Sequence, residues 1–415
     1  MKYIIEGGNK LEGTVEVSGS KNASLPILAA SILNGKTTKL YNIPNISDTQ
    51  TTRKILELLG CKVTKKGNKI IIDSSTVTEK EIPEELMKKM RSSVVFAGAL
   101  IGRFKEATFS YPGGCDIGSR PIDLHLAGLK KLGVNIETEA GYIICKCDEL
   151  IGTDIHLDFP SVGATENIIM AAVLATGETV IHNAAMEPEV QDLANFLNKM
   201  GAKIEGSGTN RIVINGVKDL KGIGYNIMPD RIEAGTLLCA GAITGGKIKL
   251  KNVVPEHITP ILHKLQEAGC EIKTEKNSIY LEAPKKLKAI DVKTMPYPGF
   301  PTDMQSVLGA TLVTAKGTSL IVENIFENRF KYVNGLNKMG AKISLVGTNG
   351  IAIKGVKKLS GSEVDSTDLR GGAAMIIAGL ASKGKTKVDN IAHILRGYVD
   401  IDKKLNSLGA KITKE

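Results

Sequence analysis

LNKMGAKI occurs twice in the chain, at residues 197–204 and at residues 336–343, without a single difference. Four related octapeptides share its fifth-position glycine. The six glycines are Gly60, Gly133, Gly201, Gly269, Gly340 and Gly409. Successive glycines lie 73, 68, 68, 71 and 69 residues apart. A near-constant spacing of this kind indicates a repeat architecture.

Each copy has the pattern of an amphipathic helix end, a glycine in the left-handed C-cap position and then a strand. An apolar helix precedes each copy, for example SVGATENIIMAAVLAT at 161–176 and TDLRGGAAMIIAGLAS at 367–382, and a turn and a strand follow that helix. The pattern predicts an α/β protein built from six repeats of about 70 residues, with three repeats in each of two domains.

The N-terminus supplies the strands that the sixth repeat lacks. Residues 3–22 resemble residues 351–370, which connect the fifth repeat to the sixth. We therefore predict that the N-terminal segment completes the sixth repeat. One domain then spans residues 21–228, and the other combines residues 1–20 with residues 229–415. The chain crosses between the domains twice, and we expect hinges at both crossings.

Composition excludes several classes of protein. A chain of 415 residues is too long for one ordinary core, which agrees with two domains. No apolar run reaches the roughly 18 to 20 residues of a membrane helix, and MKYIIEGGNK has no secretory pattern, so we expect a cytoplasmic enzyme. Despite a net charge of +10, aromatic residues are only 4% and tryptophan is absent, which disfavours nucleic-acid binding. We expect the positive charge to collect a small anionic substrate.

The six cysteines do not form a disulfide framework or a zinc motif. Cys61, Cys239 and Cys270 occupy apolar positions and are expected to be buried. Cys115 differs, because it lies among glycines in YPGGCDIGSRPIDLH, five residues before Arg120. A thiol beside a fixed positive charge in such a loop predicts a reactive group.

Polar side chains begin the six apolar helices. We expect these starts at Lys21-Asn22, Arg91, Ser161-Val162-Gly163, Asp230-Arg231, Asp303 and Asp368-Leu369-Arg370. Ordinary N-capping is the simpler interpretation of Asp230, Asp303 and Asp368. The basic residues of this set oppose the helix dipole and therefore need an anionic partner. A bound phosphate or carboxylate, or an acid from the other domain, would supply one.

GLASKGKT at 379–386 matches the phosphate-binding loop pattern G-x-x-x-x-G-K-[ST]. That loop follows a strand and opens a helix, whereas here an apolar helix precedes it and the strand KVDNI follows. We interpret the match as a helix-to-strand turn.

Eight motifs, in order along the whole chain, resemble the family of UDP-N-acetylglucosamine enolpyruvyl transferases. They are SGSKNASLPILAA (18–30), PGGCDIGSRPIDLH (112–125), SVGAT (161–165), PDRIEAGT (229–236), GFPTDMQ (299–305), FENRF (326–330), STDLRGGAA (366–374) and RGY (396–398). The sister family, 5-enolpyruvylshikimate-3-phosphate synthase, shares the repeated fold and the GSK start but lacks the cysteine loop. The sugar-nucleotide enzyme is therefore favoured, and a shikimate-type transferase is the alternative.

The resemblance implies two inside-out α/β domains that close on their substrates. It implies transfer of the enolpyruvyl group of phosphoenolpyruvate to the 3-hydroxyl of UDP-N-acetylglucosamine with release of phosphate, the first committed step of peptidoglycan synthesis. It implies small-molecule substrates, no cofactor, no metal, no nucleic acid and no membrane partner.

The resemblance also implies roles for individual residues. Phosphoenolpyruvate is expected to contact Lys21, Arg120, Arg396 and, at its carboxylate, Arg370. The sugar nucleotide is expected to contact Asn22, Arg91, Arg120, Pro121, Ile122, Asp123, Leu124, Ser161, Val162, Gly163, Asp303 and Ile325. The catalytic set is Cys115 as proton donor and covalent nucleophile, Asp303 as base, and Lys21 and Arg396. Some members carry a basic residue just before the SVG turn, where this chain has Asp158-Phe159-Pro160.

Overall fold

The structure, a computed structural model, describes residues 1–113 and 121–415. Residue contacts divide this part of the chain into two compact units. We call residues 19–113 with 121–228 the first unit, and residues 1–18 with 229–415 the second unit. The sequence predicted crossings near Ser20 and Pro229, and the contacts divide the chain after Ser18 and after Met228. That each unit is an enolpyruvyl transferase domain stays a prediction.

Each unit holds three four-stranded sheets within the described residues, and all six sheets have one pattern. An edge strand pairs in parallel with the second strand, and the remaining pairs are antiparallel. In pairing order, the first unit has Gly224–Asn226, Thr37–Tyr41, Lys69–Asp73 and Lys62–Lys66; Glu81–Ile82, Glu106–Ser110, Tyr142–Lys146 and Asn135–Glu139; and Asp154–His156, Glu178–His182, Arg211–Asn215 and Lys203–Glu205. The second unit has Glu12–Glu16, Lys247–Lys251, Ser278–Glu282 and Glu271–Glu275; Val292–Lys293, Thr318–Val322, Gly350–Lys354 and Lys342–Val346; and Glu363–Asp365, Lys385–Asp389, Tyr3–Glu6 and Lys411–Lys414. Leu359–Ser360 pairs separately with Ser382–Lys383.

The strands near the crossings close each unit on itself. Tyr3–Glu6 lies between Lys385–Asp389 and Lys411–Lys414, so the N-terminal segment completes the sheet of the sixth repeat, as predicted. Glu12–Glu16 then extends the sheet of the fourth repeat by pairing with Lys247–Lys251. Gly224–Asn226 does the same for the first repeat. Each unit therefore receives its last edge strand from the segment that leads out of it.

Both units contain α-helices and short 3₁₀ helices. The α-helices of the first unit are Lys21–Ala30, Ser47–Leu58, Glu84–Lys89, Phe96–Phe104, Asp123–Lys131, Val162–Ala172 and Pro188–Met200. Those of the second unit are Arg231–Ile243, Thr259–Glu267, Gln305–Leu312, Tyr332–Lys338, Leu369–Leu380 and Ile401–Ser407. The 3₁₀ helices are Arg91–Val95, Pro255–Ile258, Thr302–Met304 and Ile394–Arg396. Within residues 1–113 and 121–415, none of the helices is both long and apolar enough to span a membrane.

The apolar helices pack against one another in the core of each unit. In the second unit these are Arg231–Ile243, Gln305–Leu312 and Leu369–Leu380, and their residues are buried on nearly all sides. A helix that is apolar all round is stable only when other elements cover it, which explains the shells of sheets. The α/β class predicted from the sequence is confirmed.

The repeated octapeptide forms a corner between helix and strand. The Asn198 side chain donates to the Ile204 carbonyl and accepts from the Ile204 amide, both at 2.8 Å. The same clasp joins Asn337 to Ile343 and Asn406 to Ile412. The six repeat glycines have φ between +92° and +107°, a region that favours glycine. The predicted left-handed C-cap is confirmed in every repeat.

The structure also confirms the interpretation of GLASKGKT at 379–386 as a helix-to-strand turn. Helix Leu369–Leu380 precedes it, and strands Ser382–Lys383 and Lys385–Asp389 follow. The segment turns from a helix into a strand, as predicted, and does not open a helix.

Candidate active site

The predicted site residues fall in both units. In the first unit lie Lys21, Asn22, Arg91, Pro121, Ile122, Asp123, Leu124, Ser161, Val162 and Gly163. In the second unit lie Asp303, Ile325, Arg370 and Arg396. Cys115 and Arg120 lie outside the described residues.

Asp303 is held between two buried arginines. Its Oδ1 lies 2.7 Å from Nη2 of Arg329, and its Oδ2 lies 3.0 Å from Nη2 of Arg370. The two arginine side chains are 5% and 3% exposed, whereas the Asp303 side chain is 28% exposed. The two arginines therefore hold the carboxylate from the protein interior, and part of it remains accessible.

Two opposing effects set the charge of Asp303. Burial alone would raise the pKa of its carboxyl, but the guanidinium groups of Arg370 and Arg329 and their hydrogen bonds outweigh burial. They hold the pKa well below its usual range. The carboxylate is ionised and oriented, and it can accept a hydrogen bond from a hydroxyl group.

Asp303 does not cap its helix, so that interpretation was wrong. It lies inside the 3₁₀ turn Thr302–Met304, which precedes helix Gln305–Leu312 and has no side-chain cap. The arginines compete successfully for the carboxylate, because charge-assisted bonds are stronger than neutral ones. Capping is confirmed for Asp230, which accepts from Ile232 and Glu233 amides, and for Asp368, which accepts from Arg370 and Gly371 amides.

A buried carboxylate, Glu323, organises the loop that carries Ile325. Glu323 accepts hydrogen bonds from the Ile325 amide at 2.8 Å and from the Thr302 hydroxyl at 2.8 Å. The Phe326 amide and the Thr294 hydroxyl donate to it as well. Thr302 in turn accepts from Nη1 of Arg329 at 2.9 Å. One continuous network thus joins the predicted positions Ile325, Asp303 and Arg370.

Arg396 lies in a turn against the start of helix Leu369–Leu380. It ends the 3₁₀ helix Ile394–Arg396, and a side chain on the next residue, Gly397, would come within 2.7 Å of Leu369. Two residues on, the buried Tyr398 ring lies 5.2 Å from the Arg370 guanidinium. The Tyr398 hydroxyl also lies 2.9 Å from that of Thr236. The fold brings Arg396 to the helix end that presents Arg370.

In the first unit, Lys21 has an acidic partner from its own unit. Its Nζ lies 3.1 Å from Oδ2 of Asp48, and the two side chains are 12% and 4% exposed. Asp48 stands in the first turn of helix Ser47–Leu58. The anion that we expected from a substrate or the other domain is thus supplied locally for Lys21, as Asp303 supplies it for Arg370.

The other predicted residues of the first unit lie at starts of helices. Arg91 begins the 3₁₀ helix Arg91–Val95, and its Nη1 lies 3.4 Å from the Pro112 carbonyl. The α-helix begins only at Phe96, which corrects the predicted start. Ser161 caps helix Val162–Ala172 by accepting from the Ala164 amide. Asp123 opens helix Asp123–Lys131.

Four of the five described cysteines are buried and do not compete with Cys115 as a reactive group. Cys61, Cys239 and Cys270 are buried, as predicted, and so is Cys145. Burial raises the pKa of each of these thiols to about 12. A thiol of this kind stays protonated at neutral pH and reacts slowly.

Sequence reasoning missed Asp48, Glu323 and a role for Arg329. FENRF contains Arg329, but the motif does not say where its side chain points. A glutamate closing the apolar strand SLIVE and an aspartate in the helix start SDTQ were the available signals. Both are also typical of solvated strand ends and ordinary helix starts.

Comparison with known proteins agrees with the fold. Residues 5–405 match the model of the EPSP synthase (3-phosphoshikimate 1-carboxyvinyltransferase) family. The enolpyruvyl transferase NikO from Streptomyces tendae has a similar fold, with a TM-score of 0.89 at 24% identity over 99% of this chain and 98% of that one. An EPSP synthase from Acinetobacter baumannii has a TM-score of 0.80 at 19% identity over the full length of both chains.

Several relatives are much more similar in sequence. UDP-N-acetylglucosamine 1-carboxyvinyltransferase 2 of Caldanaerobacter subterraneus is 53% identical over 414 residues, covering 100% of this chain and 99% of the relative. The protein of that name in Carboxydothermus hydrogenoformans is 50% identical, with the same coverage. UDP-N-acetylglucosamine 1-carboxyvinyltransferase 1 of Staphylococcus aureus is 48% identical, again with the same coverage. The chain belongs to the EPSP synthase family and, within it, to the UDP-N-acetylglucosamine 1-carboxyvinyltransferases.

Proposed function

We propose that the protein transfers the enolpyruvyl group of phosphoenolpyruvate to the 3-hydroxyl of UDP-N-acetylglucosamine and releases phosphate. The observation that carries the proposal is full-length identity of 48% to 53% with relatives that bear this activity in their names. The reaction would commit the sugar nucleotide to peptidoglycan synthesis. We also propose that the protein acts in the cytoplasm.

The geometry of the second unit supports a role for Asp303 at the acceptor hydroxyl. Its carboxylate is ionised, immobilised by Arg329 and Arg370, and open on one side. A carboxylate with a lowered pKa is a weak base toward a resting alcohol. It becomes an effective acceptor as the hydroxyl oxygen bonds to carbon and grows acidic. Asp303 is therefore proposed to orient the 3-hydroxyl and to take its proton during addition.

Phosphoenolpyruvate carries a phosphate and a carboxylate, which need several cations. We propose Lys21, Arg120 and Arg396 as its ligands, with Arg370 near its carboxylate. Arg370 and Asp303 are already paired, so a carboxylate at Arg370 would share the guanidinium with Asp303. Lys21 is similarly held by Asp48, which keeps its ammonium group in place.

The proposed chemistry is addition followed by elimination. The sugar oxygen attacks C2 of phosphoenolpyruvate while Cys115 gives a proton to C3, and the 3-hydroxyl proton passes to Asp303. In the elimination step the Cys115 thiolate takes a proton back from C3 and the C2–O bond to phosphate breaks, which restores the double bond. The departing phosphate takes up the proton held by Asp303, so both groups return to their starting states. Every proton transfer is between groups of the protein and the substrates, so we propose that no cofactor is needed.

The decisive experiment measures phosphate release from phosphoenolpyruvate with two acceptors in parallel. We expect turnover with UDP-N-acetylglucosamine and none with shikimate 3-phosphate. Product identity is checked by mass spectrometry, which must show addition of an enolpyruvyl group to the sugar nucleotide. Turnover with shikimate 3-phosphate alone would replace this proposal with the sister activity.

A Cys115→Ser variant tests the proposed proton donor. Loss of a general acid is expected to reduce kcat by about 10²- to 10⁴-fold. The epoxide fosfomycin should alkylate the wild-type protein at Cys115 and leave the variant unmodified, as peptide mapping would show. Cys147→Ser is the matched control, because Cys147 is the partly exposed thiol among the described cysteines. Unchanged turnover in Cys115→Ser would remove the thiol from the mechanism.

A further inference from the structure

His125 and Asn167 form a buried hydrogen-bonded pair inside the first unit. His125 is the third residue of helix Asp123–Lys131, and Asn167 lies in the middle of helix Val162–Ala172. The two side chains meet with 2.7 Å between Nδ1 of His125 and Nδ2 of Asn167. His125 is 7% exposed and Asn167 is fully buried.

Two backbone groups determine which way the Asn167 amide points. The Gly98 amide donates to Oδ1 at 2.8 Å, and Nδ2 donates to the Val94 carbonyl at 3.0 Å. An N–H donor requires an oxygen, and a carbonyl requires the NH₂ group. The atom that faces His125 is therefore the amide nitrogen, which can only donate.

This orientation fixes the tautomer of His125. Since Nδ2 of Asn167 donates to it, Nδ1 of His125 must accept and carries no proton. The neutral ring then has its proton on Nε2. A side chain on Gly163 would come within 3.2 Å of Nε2 and 2.9 Å of Cε1, so the ring edge packs directly on the Gly163 backbone.

The pair contacts each segment that we propose for sugar-nucleotide binding. His125 directly follows the run Pro121 to Leu124 in the chain. Its ring packs on Gly163 of the Ser161–Gly163 turn. Asn167 is bonded to Val94, in the 3₁₀ helix that begins at Arg91. These three segments come from different helices, and the described contacts of the pair touch all of them.

We propose that His125 and Asn167 are positioning residues for UDP-N-acetylglucosamine. They act by fixing the Arg91 turn, the Pro121–Leu124 run and the Ser161–Gly163 turn relative to one another. This inference rests on the proposed function, because it concerns the same nucleotide site. The interaction that matters is acceptance by Nδ1 of His125 from the Asn167 amide, and not the bulk of the ring.

The test compares two His125 variants in steady-state assays with both substrates. Leucine removes the acceptor, whereas asparagine can place Oδ1 where Nδ1 lies and restore it. For His125→Leu we expect the KM for UDP-N-acetylglucosamine to rise about 10- to 100-fold. We expect kcat and the KM for phosphoenolpyruvate to stay within about threefold. His125→Asn should recover most of the nucleotide affinity, and Asn167→Leu should reproduce the defect of His125→Leu.

Asn198→Leu is the matched control, since Asn198 also makes two bonds to backbone groups in the first unit but belongs to a helix–strand corner. It should lower the Tm without changing the KM for the nucleotide. Equal defects in His125→Leu and His125→Asn would overturn the proposal, as would a loss of Tm or kcat in His125→Leu with unchanged KM.

A measurement on the wild-type protein remains decisive if the leucine variants do not fold. Nitrogen NMR of the histidine rings should show His125 with its proton on Nε2 at pH 7, and a proton on Nδ1 would overturn the inference. Failure of the proposed function is distinct, because wild-type protein would then release no phosphate with UDP-N-acetylglucosamine.

Discussion

Arg329 and Asp303 form an ion pair in which the arginine is buried and its Nη2 lies 2.7 Å from Oδ1 of the aspartate. Arg370 binds the other carboxylate oxygen. The charge of Asp303 is therefore a property of three side chains that lie 26 and 67 residues apart in the chain. Changing either arginine should alter the titration of an aspartate that itself stays in place.

Arg329→Met removes one cation at nearly unchanged side-chain length. The pKa of Asp303 should rise, because burial is then opposed by Arg370 alone. The acid limb of the pH profile of kcat/KM should move to higher pH, and the loss of activity should be larger at pH 5 than at pH 8. Arg211→Met, at an exposed arginine of the first unit, is the control. Parallel profiles for wild type and Arg329→Met would show that Asp303 does not titrate in catalysis.

The free energy of unfolding should also depend on pH through the lowered pKa of Asp303. A carboxylate with a lowered native pKa stabilises the fold above its unfolded pKa of about 3.9, and this contribution disappears as the pH falls toward the native value. Asp303→Asn removes the contribution, so its Tm deficit should be largest near neutral pH and should shrink below about pH 4. Calorimetry of both proteins between pH 3 and pH 7 measures the difference. A deficit that is constant with pH would contradict the charge state assigned to Asp303.

Asp48→Asn should weaken the protein and its binding of phosphoenolpyruvate together. The change leaves the Lys21 ammonium group buried beside a neutral amide, and breaking a buried ion pair costs about 3–5 kcal/mol. We expect a lower Tm and a higher KM for phosphoenolpyruvate, with a smaller effect on the KM for the sugar nucleotide. Asp219→Asn, which breaks the exposed pair of Lys36 and Asp219, should leave both quantities nearly unchanged. A normal KM for phosphoenolpyruvate in Asp48→Asn would separate Lys21 from that substrate.

Glu323→Ala should disturb the loop that carries Ile325. Four hydrogen-bond donors, among them the amides of Ile325 and Phe326, lose their acceptor, and each unsatisfied buried donor costs about 1–3 kcal/mol. We expect a lower Tm and a KM for UDP-N-acetylglucosamine raised about tenfold or more. Glu323→Gln keeps one carbonyl acceptor and should lie between Glu323→Ala and wild type. Equal nucleotide KM values in all three proteins would remove the loop from the site.

Glu166→Gln should stabilise the protein at neutral and higher pH. Burial, with the nearby carboxylates of Glu189 and Glu187, raises the pKa of Glu166 well above its ordinary value. A raised native pKa favours the fold at low pH, and stability falls by up to about 1.4 kcal/mol per pH unit above the unfolded pKa of about 4.3. The variant lacks this fall, so its Tm advantage should grow from pH 5 to pH 8. Glu205→Gln, at an exposed position, is the control, and a pH-independent difference in Glu166→Gln would contradict the assignment.

The fold was predictable because its signals are local and repeated six times. Gly201 and its five counterparts adopt the left-handed conformation that their position in the octapeptide indicated. The pairing of Lys21 with Asp48 and of Asp303 with Arg329 was not predictable, because helix periodicity does not say which polar side chains at neighbouring helix starts face each other. Asp303 is an example, because its position near a helix start suits an N-cap but its carboxylate pairs with Arg329 and Arg370 instead.

The asparagine clasp illustrates the same limit on a smaller scale. Asn198, Asn337 and Asn406 recur in the repeat, yet only the structure shows that each side chain bridges its helix to the following strand. In the other three repeats the position holds a different residue, and the corner is held by backbone hydrogen bonds such as that from the Cys61 amide to the Leu56 carbonyl. Conformation, not the clasp, is what all six copies share.

The location of Tyr3–Glu6 between Lys385–Asp389 and Lys411–Lys414 bears on biosynthesis. Tyr3–Glu6 is synthesised long before Lys385–Asp389 and Lys411–Lys414, the two strands that flank it in the folded sheet. The first unit lies within residues 19–228 and can fold while synthesis continues, whereas the second unit cannot complete this sheet until Lys411–Lys414 has been made. While the residues between them are being synthesised, Tyr3–Glu6 cannot yet pair with the strands that flank it in the folded sheet.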